Sequence, residues 1–284
     1  MCLAGSEAIP ERVNEEGELE LDRRTLIFGA ACFALGATIP GSAHAAGLAT
    51  TGRRSAASAR PRQSPIDLRP RDITFVNRLP RIGFRYPQRI DVTLVNTGSP
   101  DEFATVRAEV PAGAARITLK GVRWDLQQFH WHTPSEHEIK GRDTPLEMHF
   151  VHGRDDGATL VIAVFMKRGD KNRAIEPMFR ELPDQPDETR DVSGVRLRDL
   201  LPDERESFRY SGSLTTPPFT EPVRFVVFDK SIRLSERQIG AFQELFEEGN
   251  SREVQPLNGR KVRSDVERLR PRRLSAATRD ELDG

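Results

Sequence analysis

Hydrophobic positions along the chain fall mostly into short runs separated by turn-forming residues. Residues 90–96 (IDVTLVN), 115–119 (ARITL), 127–132 (QQFHWH), 146–152 (LEMHFVH), 159–167 (TLVIAVFMK) and 223–228 (VRFVVF) are rich in β-branched and aromatic side chains. Runs this short and this frequent predict strands and a sheet-dominated domain. Helical spacing is rarer. Residues 172–182 place Ile175, Met178, Phe179 and Leu182 on one face. Residues 235–247 open with Ser235 and Gln238 as a capping box and align Ile239, Phe242 and Phe246. The expectation is a mainly β (α+β) single domain over residues 63–263. No internal repeat is visible. Residues 264–284, which carry RLRPRRL among acidic residues, read as a solvated tail.

The first 62 residues follow a different pattern. Arg23-Arg24 precede an apolar run at 26–39, and Ala43-His44-Ala45 supply a small-x-small cleavage site. That order is the one of an export signal over residues 1–45. The paired arginines resemble a twin-arginine signal, which would make the protein periplasmic or secreted. An uncleaved N-terminal anchor is the alternative, although the run is short for a bilayer span. The lead-in is acidic (Glu15, Glu16, Glu18, Glu20, Asp22), unlike most signals, and Gly29-Ala30-Ala31 before Cys32 is a poor lipoprotein box. Residues 46–62 (AGLATTGRRSAASARPR) are small, polar and basic, and read as a flexible linker.

Composition narrows the field without naming a function. Hydrophobic residues make up 37% and charged residues 30%, which suits a soluble domain with a substantial core. Formal net charge is zero, so no electrostatic argument points to nucleic acid or an anionic membrane. After loss of residues 1–45 the count is 40 basic against 36 acidic residues, a net charge of only +4. Both cysteines, Cys2 and Cys32, lie in the leader, so the exported domain would fold without a disulfide. Oligomeric state is not legible.

Chemistry concentrates in one place. Five of the six histidines (His130, His132, His137, His149 and His152) fall between residues 130 and 152. Side chains two apart on a strand share a face. His130 and His132 therefore project together beside Gln128, and Glu147 projects with His149. If the two runs pair antiparallel, one surface presents three imidazoles around a point. Such a set suits Zn²⁺ and leaves a fourth position for water. Gln128 and Glu147 are placed to hold the other ring nitrogens. A lone H-x-H in a strand is more often a pair of ordinary histidines, and the adjoining E-x-H is what raises the metal reading. His137 and His152 fit no ligand pattern and read as buried structural histidines, bonded to backbone or to Glu147.

QFHWHTPSEH (128–137) followed by LEMHFVH (146–152) resembles the signature of the α-class carbonic anhydrases, particularly bacterial ones. QSPIDL (63–68), SGSLTTPP (211–218) and QPLNGR (255–260) agree with it in the same order. The resemblance implies a central, mostly antiparallel twisted sheet of about ten strands with short peripheral helices. It implies a zinc ion on His130, His132 and His149, with Gln128, Glu147 and Asn250 behind them. It implies that zinc-bound hydroxide attacks CO₂ to give bicarbonate and a proton. Thr215 would orient the hydroxide and pass its own proton to Glu136, and Thr216 would border the bicarbonate site. Leu214, Val151, Val161 and Val223 would form the apolar wall for CO₂, with Phe225 where relatives often have tryptophan.

Two departures stand out. The segment before QSP lacks the Trp and Tyr usual in relatives, and the N-x-G-H shuttle segment reads Asn96-Thr97-Gly98-Ser99. Serine does not titrate near neutrality as histidine does, so a slowed proton export is expected. The rival expectation is a carbonic anhydrase-like zinc-holding or interaction domain with weak or no catalysis. Retention of all three histidines with Thr215 and Glu136 argues for the enzyme. Ester hydrolysis would be a side activity.

Overall fold

The computed structural model describes residues 60–98 and 103–269. The leader, most of the linker, Ser99 and the end of the tail lie outside the described residues. Each apolar run named above became a strand: Ile90–Asn96, Arg116–Leu119, Val122–His132, Leu146–Gly153, Thr159–Arg168 and Val223–Phe228. Together with Val106–Glu109, Thr189–Val195, Ser207–Gly212 and shorter strands, they build one 13-stranded sheet. Most neighbours are antiparallel. Parallel pairings join Thr159–Arg168 to Val223–Phe228 and to Ile232–Leu234, and Val262–Ser264 to Ile73–Phe75.

The sheet is buried on both faces, and strand parity sorts the residues. In Thr159–Arg168 the even positions Leu160, Ile162, Val164 and Met166 enter the larger core, while Val161, Ala163 and Phe165 enter a smaller one. In Leu146–Gly153 the even positions Leu146, Met148 and Phe150 enter the larger core, and Glu147, His149 and Val151 take the opposite face. Strand Val122–His132 changes parity part-way. Trp124 and Leu126 share the larger core with Phe129 and Trp131. A bulge between Leu126 and Gln128, where the register against Leu146–Gly153 shifts, makes this possible. Without that extra residue His130 and His132 would face the core that holds Trp124 and Leu126.

Two elements differ from expectation. Of residues 172–182 only Glu176–Phe179 is α-helical, although Ile175, Met178 and Phe179 are buried as the spacing predicted. The Asn172 side chain accepts from the Ala174 and Ile175 N–H groups, and Pro183 follows closely, so little room is left for propagation. The second helix, Glu236–Gln243, forms with its Ser235/Gln238 capping box and buries Ile239 and Phe242. The boundary set at 263 is also too early. Val262–Ser264 lies between Ser207–Gly212 and Ile73–Phe75 in the sheet, and Val266 is buried. At the other end of the described residues Ser64 and Ile66 are buried.

Candidate metal centre

The antiparallel pairing of Val122–His132 with Leu146–Gly153 sets His130 opposite His149 and His132 opposite Glu147. Directly opposed residues share a face, so this register converts two sequence pairs into one cluster. The three rings lie with centroids 4.9 Å (His130–His132), 5.4 Å (His130–His149) and 4.8 Å (His132–His149) apart. One nitrogen from each lies within 4.8 Å of the others, and all three residues are buried.

Each ring is held from behind. His130 Nδ1 donates to Gln128 Oε1 at 2.8 Å, His132 Nδ1 to the Asn250 carbonyl at 3.0 Å, and His149 Nε2 to Glu147 Oε1 at 2.7 Å. These bonds leave His130 Nε2, His132 Nε2 and His149 Nδ1 facing inward, which is the tautomer control a metal site needs. Asn250 serves through its backbone, a role its side chain secures. Its Oδ1 accepts from Thr133 N at 2.7 Å, and its Nδ2 donates to the Ala104 and Trp131 carbonyls. Gly249 delivers Asn250 there with φ of +84°, where a Cβ would meet the Thr133 carbonyl oxygen at 2.8 Å.

Burial lowers the basicity of His130 well below the usual imidazole range, with the neighbouring His132 and His149 rings and Arg107 adding to it. Burial also lowers His132. His149 goes the other way: burial would lower it, but the adjacent Glu147 carboxylate outweighs that and raises it. Burial would likewise raise Glu147, yet the His137 and His149 rings hold it well below the ordinary carboxylate range. The residues fit a cation. Among the described residues His132 Nε2 and Glu136 Oε2 are buried polar atoms without a hydrogen-bond partner, 3.5 Å apart, and Glu136 Oε2 is 3.7 Å from His149 Nδ1. Orphaned buried atoms of this kind call for a ligand. Three imidazole donors suit zinc.

Register also divides the surroundings of the centre. One row across the sheet runs Glu109, Gln128, Val151, Val161, Phe225 and Tyr210, polar at one end and apolar over the next strands. Val161, Val223 and Phe225 are buried in the smaller core, with Val151 and Leu214 packed against it. The expected wall residues are thus brought together. Thr215 is buried in the loop 213–222, where the Leu214 N–H donates to the Thr220 carbonyl and the Phe219 N–H to the Thr216 carbonyl. The expected hydrogen bond from Thr215 to Glu136 is not formed. Glu136 Oε1 instead accepts from the Arg252 backbone N–H at 3.1 Å, and Oε2 turns to the imidazoles.

The bond from His137 to Glu147 was expected, but its continuation through Tyr210 and Ser64 into a buried relay behind the ligands was not. His137 Nδ1 donates to Glu147 Oε1 at 2.6 Å, and its Nε2 accepts from Tyr210 Oη at 2.7 Å. Tyr210 Oη meets Ser64 Oγ at 3.0 Å, and Ser64 bonds to Ser213 beside the Thr215 loop. His137, Glu147 and His149 also form a second possible donor group, but its polar atoms are engaged in this relay. His152 is structural as expected: Nδ1 donates to the Phe150 carbonyl and Nε2 accepts from Tyr86 Oη at 2.8 Å. The chain has two tyrosines, and each holds a buried histidine. That scarcity was the only signal available beforehand.

A sheet with three outward-held imidazoles on one buried face, beside an apolar wall, defines a metal-centre enzyme of the carbonic anhydrase type. The model of the eukaryotic-type carbonic anhydrase family matches residues 51–266, and the chain belongs to that family. It is 38% identical over 204 residues to a carbonic anhydrase of Klebsiella pneumoniae, covering 70% of this chain and 78% of that one. A carbonic anhydrase of Neisseria gonorrhoeae is 34% identical over 201 residues, covering 70% and 76%. Among solved structures it is similar to the α-carbonic anhydrase of Thermovibrio ammonificans in complex with sulfanilamide. That match has a TM-score of 0.65 and 36% identity, and covers 71% of this chain and 86% of that one. The chain is an enzyme of this family, whose reaction interconverts CO₂ and bicarbonate. No helix among the described residues is long and apolar enough to cross a membrane.

Proposed function

We propose that this chain hydrates CO₂ reversibly with a zinc ion held by His130, His132 and His149. The observation that carries the reading is three buried imidazoles whose outer nitrogens are each committed to an acceptor, leaving one inward nitrogen apiece. Zinc in such a set acidifies water to a pKa of about 7, a figure that comes from carbonic anhydrases themselves and not from this chain.

The protein's own residues do the rest. Gln128, the Asn250 carbonyl and Glu147 fix ring orientation. Burial keeps His130 and His132 neutral, the form that binds metal. Val151, Val161, Leu214 and Val223 give apolar CO₂ a dry surface beside the centre, and Thr216 borders the place where bicarbonate forms. Glu136 Oε2 is left as an open acceptor, and a hydrogen bond to it from Thr215, not formed in this structure, would let Thr215 accept from the nucleophile and orient it, lowering the entropy cost of attack. Ser99 offers no titratable relay, so proton release depends on buffer and turnover is slowed. The leader directs export by the twin-arginine route, and changing Arg23-Arg24 to Lys-Lys should block it, as cell fractionation would read.

The decisive test is stopped-flow CO₂ hydration on the exported domain with its zinc content measured. We expect one zinc per chain and turnover, with His132→Ala losing both. A zinc-loaded chain with no hydration would leave a zinc-holding domain. Unchanged zinc content in His132→Ala would remove the site assignment.

A further inference from the structure

We infer that Arg107 is an anion-binding residue of the cleft, placed to hold bicarbonate and other small monovalent anions beside His130. The inference rests on the metal centre proposed above. Arg107 lies on strand Val106–Glu109, which pairs antiparallel with Val122–His132 so that Arg107 is opposite His130. His130 is in turn opposite His149. Arg107, His130 and His149 therefore form one row across three strands with their side chains on one face, and directly opposed residues have Cβ atoms roughly 5 Å apart. Arg107 is half-exposed there.

Glu109 sets the pose. It lies two residues on, on the same face and opposite Gln128, and its Oε1 accepts from Arg107 Nε at 2.6 Å. That bond uses one edge of the guanidinium. Nη1 and Nη2 have no hydrogen-bond partner among the described residues. A planar fork with two free donors matches the paired oxygens of a bicarbonate carboxylate, and a guanidinium does this far better than an ammonium.

Function follows from the difference between the two ends of the reaction. CO₂ is neutral and apolar and belongs against Val151 and Val161, which lie in the neighbouring row, whereas bicarbonate carries a charge that Arg107 can meet in addition to the metal centre. Arg107 thereby favours anions at the centre. The ion pair is part-exposed, so the effect is moderate and screened by salt.

The test uses the protein with Co²⁺ in place of Zn²⁺, whose visible spectrum reports anion binding directly. Thiocyanate and bicarbonate are titrated against wild type, Arg107→Gln and Arg107→Lys at low and high ionic strength. Arg107→Gln should raise both dissociation constants about fivefold at low salt. Arg107→Lys should recover thiocyanate more fully than bicarbonate, since it keeps charge and loses the fork. Equal dissociation constants in wild type and Arg107→Gln, with the cobalt spectrum intact, would overturn the inference. A wild-type chain that takes up no cobalt would instead overturn the metal centre.

Discussion

Glu147→Gln isolates the contribution of one carboxylate to both folding and metal affinity. Three N–H groups converge on it: His137 N reaches Oε2 at 2.8 Å, while His137 Nδ1 and His149 Nε2 reach Oε1 at 2.6 and 2.7 Å. A glutamine offers one acceptor oxygen and one NH₂ group in the same volume. With the oxygen at the Oε1 position, the His137 backbone N–H faces a donor. With the oxygen at Oε2, both rings lose their acceptor. One buried donor unsatisfied costs about 1–3 kcal/mol, and the loss of charge assistance in the surviving bonds adds to it. The metal-free variant should therefore be about 2–4 kcal/mol less stable in urea unfolding at pH 7. Freed of its anchor, His149 should present Nδ1 less well, and zinc affinity should fall 10- to 100-fold in competition with a chromophoric chelator. A metal-free stability within 0.5 kcal/mol of wild type, taken as roughly the measurement error, together with unchanged zinc affinity, would refute the reasoning.

Thr215→Ala should keep its zinc and its fold while CO₂ hydration drops about 100-fold, the scale of a lost orienting contact; wild-type turnover would end the role assigned to Thr215 and Glu136. Ser99→His should raise kcat in dilute buffer and flatten its dependence on imidazole-type buffer, with kcat/KM nearly constant; buffer-independent wild-type turnover would mean that another relay operates. His152 provides a pH signature. Burial lowers its pKa from 6.5 to about 4, so between these values the unfolded chain binds a proton that the folded chain does not. Stability should fall as pH drops through this window, by about 3 kcal/mol in total from this residue, and His152→Asn should show a shallower acid slope in thermal unfolding. An identical slope would show that His152 does not stay neutral.

Strand geometry made part of this protein legible from the chain alone. A period of two is imposed by local backbone torsions, so His130 with His132, and Glu147 with His149, had to share faces wherever their strands lay. The capping box at Ser235 and Gln238 is likewise local, and it formed as read. Local signals also erred where neighbours intervened: Pro183 and the Asn172 cap cut the 172–182 helix short, and Ser264 was drawn into a strand between Ser207–Gly212 and Ile73–Phe75. The long-range choices belonged to the tertiary structure. Only the register of two strands could set His130 against His149, and only a bulge could turn His130 and His132 away from the core that takes Trp124 and Leu126. The acceptor of His132 is a backbone carbonyl 118 residues away, and His137 finds Tyr210 across 73. Contacts of that kind carry no local pattern, because any residue has a carbonyl and distant pairings are decided by burying the whole sheet at once.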